Sequence, residues 1–187
     1  MRSRNKILDA TLDLIRREGF EGVNIAAVAH AAGVTRQTVY SNVGSREDLV
    51  SQALIELLMR TLAGIRAKLA PVQDIPEYIC ELYVAIRSVV RADPVLVRLL
   101  AAESGNPLFD PMMTTRAKPV ARELLLPVLE LDPSLEPHLD DIIQIVVRLG
   151  MSIVVFDGDD IRTDDDLRHF VARWVLPALM APPIFRD

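Results

Sequence analysis

Apolar residues recur along this chain at spacings of three and four, the pattern of helices, and nowhere does an apolar and polar alternation persist long enough for a strand. That periodicity restricts the chain to an all-α fold. Capping residues divide it into elements. Ser3 is placed to cap a first helix whose stripe is Ile7, Ala10, Leu14 and Ile15, with Gly19 as its stop. Asn24 opens a short second helix carrying Ile25, Val28, Ala29 and Ala32, and Gly33 ends it. Thr35 caps a third, which Val34 and Val39 turn inward. Ser45 and Asp48 have the spacing of a capping box and open a long fourth helix reaching about Lys68.

Beyond Ala70 the punctuation changes. The stretch APVQDIP reads as a connection, followed by a helix with Ile79, Leu82, Tyr83, Ile86 and Val90 on one face. Asp93-Pro94, Asp110-Pro111 and Asp132-Pro133 each pair a capping residue with proline at a first helical position, so each predicts a helix start. Pro119 and Pro127 predict a kink or break in the segment between Pro111 and Leu131. The segment from Asp140 to Phe156 is apolar almost all round, so it requires partners on more than one side. Thr163 and the acids Asp164, Asp165 and Asp166 begin a last helix with the stripe Leu167, Phe170, Val171, Trp174, Val175 and Leu179.

Composition narrows the function. A single cysteine, Cys80, permits neither an intramolecular disulfide nor a zinc site of thiols, which fits a reducing compartment; a packed thiol is the expectation for it. The N-terminus interleaves charges too closely for a signal peptide, and Ile142 to Phe156, interrupted by Gln144 and Arg148, is too short and polar to span a bilayer. A cytoplasmic protein without a membrane partner is expected. Net charge is −5, against the basic balance of most nucleic-acid binders. It is uneven, however. Residues 1–50 hold seven Lys or Arg against six Asp or Glu, and the remainder fourteen against twenty.

The run GVTRQTVYSNVGSREDL, residues 33–49, carries the densest set of outward hydrogen-bonding groups. Its flanking helices have the logic of a helix-turn-helix: Ala29 permits close approach, Gly33 a left-handed turn, and Val28, Val34 and Val39 bury the join. Arg36 can hold guanine bidentately and Gln37 adenine, at the helix end that meets base edges. Thr35, Thr38 and Tyr40 are of the types that bind phosphate and set register, with Ser41, Asn42, Asn24 and Arg46 completing the candidate DNA-binding set. A packing role is the alternative for Tyr40, and a helix-surface charge the alternative for Arg46.

With these residues in place, positions 1–50 resemble the N-terminal domain of the tetracycline-repressor (TetR) family of bacterial regulators. The matching elements are ILDATLDLIRREGFEGVNIAAVAHAAGV and TVYSNVGSREDL. Three positions depart from the family pattern: Asn42 stands for His or Tyr, Val43 for an aromatic, and Arg46 for Lys. Val43 removes aromatic packing between the third and fourth helices. The resemblance implies a helix-turn-helix domain over 1–50 and a helical ligand-binding and dimerisation domain over 51–187, joined by the fourth helix. It implies a homodimer on double-stranded DNA with a palindromic operator, released by a small-molecule inducer. A helical ligand-binding homodimer that has lost specific DNA binding is the alternative.

Apolar surface on the last two helices points the same way, with Ile142, Ile145, Ile153, Phe170, Trp174 and Val175 as the candidate dimer interface. Tyr78, Tyr83, Phe109, Met112, Met113 and Met151 are candidates to line an inducer pocket, and the mostly aliphatic surroundings favour an apolar or amphipathic inducer; plain core packing is the alternative for each. No cofactor or metal is expected. His30, His138 and His169 lack ligand spacing, and DGDDIRTDDD puts Arg162 and Arg168 where a calcium loop needs Gly and Glu. With no Gly-rich phosphate loop or nucleophile elbow, an enzyme is not expected either.

Overall fold

The computed structural model describes residues 2–101, 113–156 and 160–180. Every regular element among the described residues is helical. The chain forms two compact units: residues 1–63 with 93–99, and residues 64–92 with 100–187. The first unit therefore extends past residue 50 and recruits a segment from much later in the chain.

In the first unit, α1 (Arg2–Glu18) is followed by a 3-10 turn at Phe20–Gly22, α2 (Ile25–Ala32), α3 (Arg36–Val43) and the start of α4 (Arg46–Leu69). The core takes Ile7, Leu14, Ile15, Val28, Ala29 and Val39 from the expected stripes and adds Leu8, Leu49 and Ala53. Val95 joins them from a later helix, α6 (Pro94–Ala101). Arg16 holds that segment by an ion pair to Asp93 at 3.2 Å.

The second unit holds α5 (Ile75–Ala92), α7 (Met113–Leu131), a 3-10 turn at Pro133–His138, α8 (Leu139–Val155) and α9 (Asp164–Phe170). A π-helical turn at Val171–Val175 and α10 (Leu176–Met180) follow without interruption. Two expectations change here. First, of the kink or break expected at Pro119 and Pro127 the break does not occur, and α7 runs through both as one helix. Each proline removes one backbone donor, and burial of Ala121, Leu124, Leu125 and Val128 on its inward face outweighs that loss, at about 1.5–3 kcal/mol per large side chain. Second, Asp132-Pro133 opens a 3-10 turn rather than an α-helix, its carboxylate accepting from the Ser134 N–H at 3.0 Å. Asp110-Pro111 lies outside the described residues.

The last helix begins where expected: Thr163 Oγ1 accepts from the Asp166 N–H at 3.0 Å, and Asp166 accepts from the Thr163 N–H at 2.8 Å. Leu167, Val171 and Val175 are its buried residues, and Trp174 is 65% exposed. The wider π turn keeps positions 171 and 175 inward and sends 174 out.

Candidate functional site

The polar run of residues 33–49 forms a turn and a short helix with one buried side. Gly33 adopts φ 65°, and the next amide, Val34 N–H, bonds back to the Ala29 carbonyl at 2.9 Å. A Cβ at Gly33 would meet open space, so the left-handed dihedral alone demands glycine. At the other end, Gly44 adopts φ 86°, which strains any side chain, and a Cβ there would lie 2.7 Å from an Asp48 carboxylate oxygen and force that capping group to shift. That carboxylate accepts from the Ser45 N–H at 3.0 Å and closes the box that opens α4.

Val39 and Val43 fix the inward side of α3. Thr35, Arg36, Gln37, Tyr40, Ser41 and Asn42 are exposed, and Thr38 is half-buried. Their hydrogen bonds separate them into two groups. Thr35 Oγ1 caps the helix by accepting from the Thr38 N–H at 3.1 Å and lies 2.8 Å from the Thr38 hydroxyl. Ser41 Oγ and Asn42 Nδ2 both donate to the Thr38 carbonyl, at 3.1 and 2.8 Å. Asn24 similarly accepts from the Ala27 N–H at 2.9 Å to cap α2. These five side chains hold the helices in shape. Arg36, Gln37 and Tyr40 make no hydrogen bond or ion pair among the described residues, which leaves a free guanidinium, amide and phenol on adjacent turns.

Arg46 differs from its expected phosphate contact. Its Nε donates to the Val23 carbonyl at 2.6 Å and its Nη2 to the Phe20 carbonyl at 2.7 Å. The Phe20 carbonyl also accepts from the Val23 N–H at 3.3 Å, and the planar fork of arginine reaches both carbonyls of the turn at once. Val43 lies in the core at 4% exposure. Its carbonyl accepts from Gln52 Nε2 at 2.9 Å, and Gln52 Oε1 accepts from Arg4 Nη2 at 3.0 Å. This relay ties α1, α4 and the end of α3 together. Sequence reasoning missed both Arg4 and Gln52, whose types and spacing match ordinary solvated helix positions.

In the second unit, Tyr78 is buried and its hydroxyl donates to the Leu124 carbonyl at 2.6 Å, so it is a core residue with a satisfied polar end. Tyr83 is fully buried, and Met151 is half-buried on α8. Met113 begins α7; Phe109 and Met112 lie outside the described residues. Cys80 is buried, its thiol 3.9 Å from the Arg168 carbonyl, and burial pushes its pKa up, which suits a packed rather than a reactive thiol.

The candidate interface residues also divide. Ile142 and Val175 are buried within the chain itself, at 6% and 5% exposure. Ile145 and Trp174 are exposed, with Ile153 and Phe170 half-buried. Arg173 stacks over the Trp174 ring at 5.4 Å. Among the described residues no group of His, Cys, Asp and Glu could hold a metal ion, and no helix is long and apolar enough to cross a membrane.

Residues 7–53, the heart of the first unit, match the model for bacterial regulatory proteins of the tetR family. The HTH-type transcriptional regulator AlkX of Mycobacterium tuberculosis is 30% identical over 118 residues, 63% of this chain and 56% of that regulator. The chain thus matches little more than half the length of this relative. Among solved structures, the TetR family repressor AlkX from Dietzia sp. strain DQ12-45-1b, implicated in biodegradation of n-alkanes, gives a TM-score of 0.60 at 24% identity over 95% of each chain. The fatty acid degradation regulator FadR from Bacillus halodurans gives 0.62 at 20% identity, over 100% of this chain and 98% of that one. At these identities the structural likeness establishes the fold: all-α, with an N-terminal helix-turn-helix and a helical second unit.

Proposed function

We propose that this chain, which carries the tetR-family helix-turn-helix over residues 7–53, is a sequence-specific, homodimeric repressor of transcription released from its operator by a small molecule. The observation that carries the reading is the division of labour on α3. Thr35, Thr38, Ser41 and Asn42 are turned back onto the helix, while Arg36 and Gln37 project free from its N-terminal turn. Free side chains there gain hydrogen bonds on meeting base edges without breaking any in the protein. Arg36 matches the N7 and O6 acceptors of guanine and Gln37 the N7 and N6 groups of adenine. Tyr40 is 54% exposed and one turn further on, within reach of a phosphate. The acidic total charge of −5 keeps non-specific affinity low, so specificity rests on these few contacts.

A palindromic operator follows from a two-fold dimer, in which each protomer presents one α3. The dimer surface is proposed over the exposed and half-buried apolar residues of α8 and the last helix, Ile145, Ile153, Phe170 and Trp174. The inducer is proposed to enter the second unit, whose buried residues are mostly aliphatic.

Gel shift against the DNA upstream of the protein's own gene tests the reading. Arg36→Ala and Gln37→Ala are each expected to cost about 1–3 kcal/mol of specific binding and to leave binding to random DNA unchanged. Equal loss on specific and random DNA would make both residues phosphate contacts, and no sequence-specific binding by the unaltered protein at low salt would refute the repressor.

A further inference from the structure

Helix α5 has Ile79, Leu82, Tyr83 and Ile86 on its inward stripe, and then Arg87. An arginine on such a face is unusual, since burying a charge is costly unless it is paired and hydrogen-bonded. Here only 2% of it is exposed. Its Nη1 donates to the Ile161 carbonyl at 3.0 Å, and its Nη2 to the Thr163 carbonyl at 2.6 Å and to an Asp164 carboxylate oxygen at 2.7 Å. These three acceptors account for the terminal nitrogens and the charge. The Nε–H remains buried without a partner among the described residues. One turn earlier, the Tyr83 hydroxyl is in the same condition.

Buried polar groups are hydrogen-bonded in the great majority of cases, so two orphans at positions i and i+4 of one helix face require a reason. Both are donors. A guanidinium N–H has no lone pair and does not deprotonate, and burial drives the Tyr83 phenol pKa upward, which keeps its proton in place. The group they lack is therefore an acceptor. The buried residues of α5, α7 and α8 in the same unit include Leu82, Leu125, Ile143, Val146 and Val147, all aliphatic. Gly150 of α8 faces the Tyr83 ring, where an added Cβ would sit 3.8 Å from Cε1.

We propose that Tyr83 and Arg87 form the polar end of the effector site in the second unit, which takes a long apolar molecule ending in one hydrogen-bond acceptor, a carboxylate or carbonyl oxygen. The proposal rests on the reading of the second unit as the effector unit. Because Asp164 already balances the Arg87 charge, both a charged and a neutral acceptor fit, and the tail lies among the aliphatic residues. Arg87 also holds the carbonyls of Ile161 and Thr163, directly before α9. A ligand on its Nε thus bears on the residue that fixes the start of the last helix.

The test is calorimetric titration of the full chain with decanoate, methyl decanoate and decane. At least one of the two oxygenated probes is expected to bind saturably, and which one separates carboxylate from neutral carbonyl. Tyr83→Phe, which breaks no hydrogen bond in the unliganded protein, is expected to leave its Tm unchanged and to weaken that probe by about tenfold. Arg87→Lys is expected to weaken it as well; should that variant unfold, Tyr83→Phe alone decides. Absence of binding by both oxygenated probes, equal binding by Tyr83→Phe, or decane binding as tightly as they do would overturn the proposal and leave the two donors to an ordered water. Gel shift on the same samples keeps the two readings apart: specific DNA binding with no probe effect sinks only the site, and probe binding without specific DNA binding sinks only the repressor.

Discussion

A lysine at position 46 could reach one carbonyl of the turn before α2; the arginine reaches two, at Phe20 and Val23. The residue type was legible in the sequence, its direction was not, because nothing in the local spacing shows that the 20–23 carbonyls lie 23 to 26 positions back yet within reach. This placement makes a prediction that a phosphate contact would not. Arg46→Met is expected to destabilise the protein by about 1 kcal/mol in denaturant unfolding, since the side chain is 40% exposed and its bonds are partly screened. The salt dependence of DNA binding is expected to stay unchanged. A shallower salt slope with full stability would restore the phosphate role. Arg87 was not singled out in the sequence either, although a charged residue four positions after Tyr83 on an otherwise apolar face is a signal that could have found it.

At the scale of elements, capping decides where helices begin. The carboxyls of Asp48, Asp132 and Asp166 are all held below the ordinary carboxylate range, through hydrogen bonds from Ser45, Ser134 and Thr163 respectively. For each, the folded protein binds a proton less readily than the unfolded chain, so the contribution is complete above the unfolded value, about pH 4, and lost as pH falls below it. Denaturant unfolding between neutral pH and pH 3 is expected to show falling stability, with a smaller fall in Asp48→Asn and Asp166→Asn. An unchanged slope in both variants would remove the caps as the cause. These starts were readable because a cap is a local device, complete within four residues. The course of α7 through Pro119 and Pro127 was not, because propensity predicts a defect that burial of Leu124, Leu125 and Val128 overrides.

At the scale of the whole molecule, apolar area left on the surface is the quantity that matters. Trp174 is 65% exposed beside Arg173, and Ile145 is 37% exposed, although both lie on helices that bury other apolar residues. A tryptophan contributes on the order of 150–250 Å² when covered. Trp174→Glu and Ile145→Glu are each expected to yield folded monomer in sedimentation, with helical content retained. Val175→Glu is instead expected to unfold the chain, because an unpaired charge would enter its own core. A dimer that survives both surface changes would move the interface elsewhere.

The sequence by itself determined the helical class, the caps, the left-handed turn at Gly33 and the side of α3 that faces inward, because each depends on residues within one or two turns. Only the tertiary structure decided which polar side chains remain free. Arg36 and Gln37 are left without partners among the described residues, whereas Arg46, Gln52 and Arg87 find acceptors dozens of positions away or on another helix. The same holds for apolar positions, where Val175 and Trp174 share one stripe in the sequence yet Val175 is buried and Trp174 is exposed. A stripe records which residues avoid water; packing settles whether the chain's own core covers them.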